Sequence, residues 1–210
     1  MKLYWSTSSP FARKVRVALR ETGLLAQVEE VECNPFADPL ELRTINPLGK
    51  IPALTLPSGE GLYDSPVICA YLDSLNTRTK LIPDGPAQWA VRRTEALADG
   101  LLDLAVGITV ELRRPSTEQS PATIERWRAA CALAIGEMEK ALATLPPTFG
   151  LAHIAIACAC GYLDFRPASV PQPWRAAHPR LAEWYAAVET RPSLAETRPD
   201  DGSYTRFPKS

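Results

Sequence analysis

The pattern of apolar and polar positions changes character about a third of the way along the chain. Residues 2–6 read as a short strand that runs into a polar cluster, Ser6-Thr7-Ser8-Ser9. Pro10 then opens a helix over Phe11 to Thr22. Phe11, Val15, Ala18 and Leu19 recur there at helical spacing, and Gly23 closes it. Val28 to Cys33 reads as a second strand of weak alternation, and Pro35 to Thr44 as an irregular or short helical connection. A turn at Asn46-Pro47-Leu48-Gly49 leads into a third strand at about 53–56. Pro57-Ser58-Gly59-Glu60-Gly61 is a hairpin signal, and a fourth strand ends at Tyr63. Asp64-Ser65-Pro66 starts another helix, with Ser65 as cap and Pro66 at the first helical position, running to about Asn76. Beyond a segment with two prolines and a glycine, everything reads as helix, in runs at about 87–113, 121–144, 150–164 and 178–190. The order βαβ, ββα, then only helices predicts an α/β domain over 1–78, a linker at 79–86 and an all-helical domain over 87–210.

Composition narrows the function classes. Of the 210 residues, 46% are hydrophobic and 22% charged, the balance of a globular protein with a sizeable core. With 23 basic and 24 acidic residues the net charge is -1, which does not point to nucleic acid or an anionic membrane as partner. The longest apolar run, Leu151 to Cys160, is broken by His153 and is too short for a bilayer span. Met1-Lys2-Leu3 leads into Tyr4-Trp5-Ser6-Thr7 without a signal-peptide core. The five cysteines are odd in number and fit no disulfide or zinc framework. Four of them read as small buried apolar residues, as expected in a reducing cytoplasm. Two histidines, His153 and His178, are too few and too far apart to suggest a metal centre.

Three pieces of the first 80 residues carry a resemblance: Ser9-Pro10-Phe11-Ala12-Arg13-Lys14-Val15-Arg16, then Asn46-Pro47-Leu48-Gly49-Lys50-Ile51-Pro52-Ala53-Leu54, then Tyr63-Asp64-Ser65-Pro66-Val67-Ile68. It continues in Leu97-Ala98-Asp99-Gly100-Leu101-Leu102-Asp103, Gly161-Tyr162-Leu163-Asp164-Phe165-Arg166 and His178-Pro179-Arg180-Leu181-Ala182-Glu183-Trp184. Together they resemble the cytosolic glutathione transferase family, in a bacterial serine-type branch, the YibF-like proteins. The resemblance implies a thioredoxin-like α/β N-terminal domain, an all-α C-terminal domain that walls a second-substrate pocket, glutathione as co-substrate with no metal, and a cytoplasmic homodimer active in detoxification.

The resemblance also assigns roles. Ile51-Pro52 matches a cis-proline turn that exposes the Ile51 backbone to the cysteinyl backbone of glutathione, as in strand addition; the plain alternative is a proline at the start of an edge strand. Ser65, at a helix N-terminus, holds the γ-glutamyl carboxylate with its hydroxyl and N–H, while Asp64 lies near the α-amino group. The same residues also read as an ordinary helix cap. Ser9 stabilises the thiolate or simply caps the first helix, with Ser8, Thr7 and Tyr4 as competing hydroxyls. Lys50 pairs with the glycyl carboxylate or is a solvated surface lysine. Phe11 joins the glutathione-binding set and, with Trp5 and residues around Ala105 to Ile108, divides between pocket wall and core. Arg113 and Arg114 end the long helix, where they suit its dipole or contact an anionic co-substrate.

No cysteine stands in the Ser6–Ser9 cluster, which argues against mixed-disulfide chemistry and leaves Cys33 as the thiol nearest the loops. Gly150 and His153 replace the Ser/Thr and Asp that open the matching helix in the family. The reciprocal capping bonds are then lost unless His153 has found a partner or Thr148 caps instead. The expected activity is addition of the glutathione thiolate to a small electrophile. Glutathione-dependent peroxide reduction or dehalogenation uses the same thiolate. A non-catalytic interaction module is the rival, and it has no need to keep Ser9, Asp64 and Ser65 together.

Overall fold

The computed structural model describes residues 1–76, 80–170 and 173–201. Residues 77–79, where the first domain and the linker were expected to meet, and residues 202–210 of the expected helical domain lie outside the described residues. Two compact units divide the chain: Met1–Ile82 together with the segment from Pro192 onward, and Pro83–Arg191.

The first unit runs β1 (Lys2–Trp5), α1 (Pro10–Glu21), β2 (Glu29–Glu32), α2 (Leu40–Ile45), β3 (Ala53–Thr55), β4 (Gly61–Leu62) and α3 (Ser65–Leu75). This is the thioredoxin-like α/β fold that the resemblance implied. The four strands lie in the order β2-β1-β3-β4. The β1–β2 pair is parallel and is bridged by α1, while β1–β3 and β3–β4 are antiparallel. Side chains alternate across this sheet. Tyr4 and Ala53 form one cluster with Leu42 of α2, against which Val31, Cys33, Ile45 and Ile51 pack. Leu3 and Leu54, cross-strand partners, are buried, as are Val15, Ala18 and Leu19 of α1 and Ile68 and Leu72 of α3. Phe11, placed with the helical stripe in the sequence, is only half-buried.

Alternation also explains the poor apolar pattern of β2. Glu30 pairs in register with Leu3 and therefore faces α1. There it accepts from Arg16 Nε and from Arg20 Nη2 at 3.0 Å. Burial alone would raise the Glu30 carboxyl, but the hydrogen bonds and charges of Arg20 and Arg16 hold it below its ordinary range. The Arg16 guanidinium lies 3.5 Å from the centre of the Trp5 ring, so the charged cluster also ties in β1.

The second unit holds α4 (Ala87–Glu111), α5 (Pro121–Leu142), α6 (Leu151–Phe165), α7 (Trp174–Ala177) and α8 (Pro179–Val188). The apolar run seen in the sequence is α6, buried at every position from Leu151 to Leu163. Among the described residues no helix is long and apolar enough to cross a membrane. Cys69, Cys131, Cys158 and Cys160 are buried and Cys33 is half-buried. α4 packs against both α5 and α6. Gly107 permits the approach of α5, since a Cβ there would lie 3.1 Å from the Trp127 ring. One short helix departs from the expected division. α9 (Pro192–Ala195) belongs with the first unit, where it packs on α1, although the sequence reading placed all of 87–210 in the helical domain.

The start of α6 settles how the chain manages without the family's capping pair. Gly150 is the N-cap, so Thr148 does not begin the helix earlier. His153 takes over half of the lost exchange, its Nδ1 accepting from the Gly150 N–H at 3.3 Å. Its ring stacks on Phe149 at 5.7 Å and tilts against Trp184 at 6.0 Å. The forward bond, from the His153 amide to a cap side chain, has no acceptor because Gly150 has no side chain. Burial, and then the charge of Arg191, push the His153 pKa down. The neutral ring is the one that accepts, so this stability is complete above the unfolded value of about 6.5 and is lost as pH falls from there through the lower folded value. His153→Ala is expected to cost about 1–3 kcal/mol at pH 7.5. It is also expected to remove the part of the stability loss that wild type shows between about pH 7 and 5. Urea midpoints of the two proteins across that range are the check.

Candidate functional site

Strand register gathers the three sequence pieces at one end of the sheet. β1 ends there, β3 begins there and β4 ends there. Tyr4 pairs with Ala53, and Leu54 pairs with Leu62. Continuing these registers sets Ile51-Pro52 beside the chain that follows Trp5, and sets Asp64-Ser65 beside Pro52 and Ile51. The two helices that leave this end, α1 and α3, both begin there. Two sets of first-turn amides with no intrahelical acceptor therefore open at the same place, each with partial positive charge.

Ser9 is the N-cap of α1, with extended backbone angles. Its Oγ accepts from the Ala12 N–H at 3.2 Å, and its carbonyl accepts from the Arg13 N–H at 3.0 Å. Its own N–H donates to the Ser6 carbonyl at 3.2 Å. The helix thus uses the acceptor side of this half-buried hydroxyl and leaves its proton to donate. The competing hydroxyls differ. Tyr4 is buried and donates to Glu41 Oε1. Burial first, then the hydrogen bond and charge of Glu41, push its pKa up to about 12. The Thr7 hydroxyl is enclosed and has no hydrogen-bond partner among the described residues. Ser8 is half-buried beside Ser9.

The turn before β3 is built on Asn46, which the sequence reading quoted without giving it a role. Asn46 is 2% exposed. Its Nδ2 donates to the Lys50 carbonyl at 2.8 Å, its Oδ1 accepts from the Leu48 N–H at 3.1 Å, and its backbone carbonyl accepts from the Gly49 N–H at 2.9 Å. Gly49 has φ 62°, the left-handed conformation that glycine adopts without strain. An Asn three residues before a Gly was the available signal. The Ile51–Pro52 peptide is cis, as the resemblance implied, and Tyr63–Asp64 is cis as well. Pro52 is buried, Ile51 half-buried and Lys50 exposed.

At α3 the cap lies one residue earlier than the sequence suggested. Asp64 is the N-cap, Ser65 the first helical residue and Pro66 the second. Asp64 is exposed and its carboxylate makes no capping bond, which leaves it available to a cation. Ser65, at the helix start, is 1% exposed. Cys33 packs against the cluster of Tyr4, Leu42 and Ala53. Burial and then the Glu41 charge raise its thiol pKa, which disfavours the reactive thiolate. In the other unit α4 ends at Glu111, so Arg113 and Arg114, expected to end this helix, lie in the turn beyond it. Arg114 pairs there with Glu118 at 3.1 Å, a local bond within the segment that follows α4. Among the described residues no group of three or more His, Cys, Asp or Glu side chains converges as metal ligands.

An acidic side chain, a buried serine and a capping serine, grouped around a cis-proline turn and two helix N-termini, suit a zwitterionic peptide with a thiol. Residues 8–75 match the glutathione S-transferase N-terminal domain, and residues 121–187 match the glutathione S-transferase C-terminal domain. The chain is 36% identical to the uncharacterized GST-like protein YibF of Escherichia coli K12, over 95% of this chain and 98% of that protein. It is also similar to a glutathione transferase family member from Pseudomonas fluorescens Pf-5, solved with bound glutathione. That structure shows 42% identity and a TM-score of 0.89 over 95% of this chain and 98% of the other. A second structure from Pseudomonas fluorescens Pf-5, with bound S-(propanoic acid)-glutathione, shows 41% identity and a TM-score of 0.85 over 95% and 100% of the two chains. The chain belongs to the glutathione S-transferase family.

Asn46→Ala is expected to lower stability by about 1–3 kcal/mol, because the Lys50 carbonyl and the Leu48 amide, in a part-buried turn, both lose their partner. Asn46→Asp keeps the acceptor for Leu48 but not the donor to Lys50, and is expected to fall between the two. Thermal and urea midpoints of the three proteins measure the order.

Proposed function

We propose that this end of the sheet binds glutathione and that Ser9 stabilises the bound thiolate for addition to a small electrophile. The observation that carries the reading is the convergence of Ser9, Ile51-Pro52 and Asp64-Ser65 at two helix N-termini. In this reading the Ile51 backbone pairs with the cysteinyl residue. Ser65 and the first-turn amides of α3 hold the γ-glutamyl carboxylate, and Asp64 holds the α-amino group. Lys50 meets the glycyl carboxylate, and Phe11 packs alongside. The protein acts as a cytoplasmic homodimer, and its detoxifying role belongs to the same proposal.

The energetics support a single hydroxyl as sufficient. A free thiol with a pKa of about 8.5 is only a few per cent ionised at pH 7. Lowering it by ~2 units takes about 2.7 kcal/mol of selective stabilisation. One hydrogen bond to a charged group contributes about 1.5–3 kcal/mol, and a helix N-terminus adds about 0.3–1 kcal/mol. No general base is needed. The S-(propanoic acid)-glutathione bound to the Pseudomonas fluorescens relative supports conjugate addition to an unsaturated acid as the reaction here. The sulfur lone pair would form the S–C bond, the C=C pair would move toward the carboxyl-bearing carbon, and water would supply its proton. Peroxide reduction or dehalogenation would draw on the same thiolate.

The ionic clamp and the hydroxyl make separable contributions. Asp64→Ala and Ser65→Ala are each expected to weaken glutathione binding by about 1–3 kcal/mol. Unchanged calorimetric affinity in both would remove the site. Ser9→Ala is expected to lower turnover by roughly ten- to a hundredfold, equal to about 1.4–2.7 kcal/mol of lost anion stabilisation, with little change in affinity. Thiolate absorbance of the bound peptide against pH is the direct check. Identical titration in wild type and variant would pass the role to Ser8.

A further inference from the structure

The segment that follows α8 is tied to the helix that carries Ser9. Arg13 of α1 is 3% exposed, and its Nη2 donates to the Leu194 carbonyl of α9 at 3.1 Å. Its Nε and Nη1 are enclosed without a hydrogen-bond partner among the described residues. Farther along α1, Arg20 Nε donates to Glu196 Oε2 at 3.0 Å, and Ser193 Oγ donates to Glu21 Oε1 at 2.5 Å. The segment is also bonded within itself and buried in part. Ser193, Leu194 and Thr197 are 5%, 0% and 1% exposed, and Thr197 Oγ1 donates to the Ser193 carbonyl at 2.7 Å.

We propose that residues 193–197 form a brace that sets the position of Ser9, with Arg13 as the positioning residue between them. The proposal rests on the reading of Ser9 as the group that stabilises a glutathione thiolate. Ser9, Arg13 and Arg20 fall at steps of four and seven residues, so they lie along one stripe of α1. Arg13 is bonded at both ends: its amide donates to the Ser9 carbonyl at 3.0 Å, and its guanidinium donates to Leu194. The other recorded bonds of Ser9, with Ser6 and Ala12, are local to the turn and move with it. The Arg13–Leu194 contact relates that turn to the C-terminal segment. Donor placement matters steeply, since a hydrogen bond to an anion weakens with small errors of distance and angle. The brace also leaves a buried cation bonded to a neutral carbonyl one turn from Ser9. Its field favours an anion at the helix start.

The test is the pH titration of the glutathione thiol bound to the full-length protein, followed by thiolate absorbance. Wild type is compared with Arg13→Met, Arg13→Lys and the Ser193→Ala/Glu196→Gln double variant. In wild type the bound thiol is expected to titrate below the free peptide. Arg13→Met is expected to raise that midpoint by about one pH unit, a tenfold loss of thiolate below the midpoint, with glutathione affinity changed less than threefold. Arg13→Lys is expected to recover part of the shift because it keeps a cation and a donor. The double variant, which leaves Arg13 intact and loosens the brace, is expected to raise the midpoint by about half a unit. It decides the matter if Arg13→Met does not fold. If wild type titrates low and the folded variants titrate identically with it, the brace has no part in thiol activation. If the wild-type bound thiol titrates like the free peptide, the role of Ser9 fails and the brace falls with it.

Discussion

Antiparallel pairing of β3 with both β1 and β4 is the constraint on which the candidate site depends. Register fixes more than a hydrogen-bond ladder here. It decides that the end of β1, the start of β3 and the end of β4 lie together. It also decides that the helices following β1 and β4 both open at that end. A slip of one residue would turn Tyr4 and Ala53 away from Leu42 and carry Leu3 and Leu54 out of the other face. The same apolar pairs that hold the core therefore hold Ser9, Ile51 and Asp64 near one another. The chemistry added at that end is slight: two serines, one carboxylate, a backbone edge and two helix dipoles.

The elements around this end divide their work. Tyr4 is a core residue whose hydroxyl is spent on Glu41, so it anchors α2 beneath the turn rather than facing a ligand. Asn46 closes the turn from inside, and Gly49 supplies its left-handed corner. On the opposite face, Glu30 draws Arg16 and Arg20 onto the edge strand, and Arg20 passes the connection on to Glu196. α1 is held by β2 on one side and by the C-terminal segment on another. Under the proposed role of Ser9, a helix that places this hydroxyl benefits from both.

Much of this was legible in the sequence because it is local. Helix periodicity, the Ser9-Pro10 and Ser65-Pro66 starts, and the glycine-marked hairpin placed every strand and most helix limits to within a residue or two. The rest depends on partners distant in the chain. Glu29, Glu30 and Glu32 make β2 look poor as a strand, and only Arg16 and Arg20 explain why Glu30 can sit there. Gly150 and His153 looked like a lost cap. The acceptor is there, on an imidazole steadied by Phe149 and Trp184. Residues 193–197 look like one more turn of the helical domain, since nothing in their own pattern announces Arg13 or Arg20. The cap of α3 was read one residue late because Ser and Asp are both good caps. The structure uses Asp64 for the position but not its side chain.

Recognition of the γ-glutamyl end is the central claim, because it alone uses the juxtaposition of Asp64, Ser65 and the start of α3. Isothermal titration of the intact protein with glutathione and, separately, with cysteinylglycine tests it most directly. The dipeptide keeps the thiol and the glycyl carboxylate but lacks the γ-glutamyl group. Saturable binding of one glutathione per chain, with cysteinylglycine at least a hundredfold weaker, as about 2.7 kcal/mol of lost charged contacts requires, is the expected result. Equal affinity for the two peptides, or no saturable binding of glutathione, would contradict it.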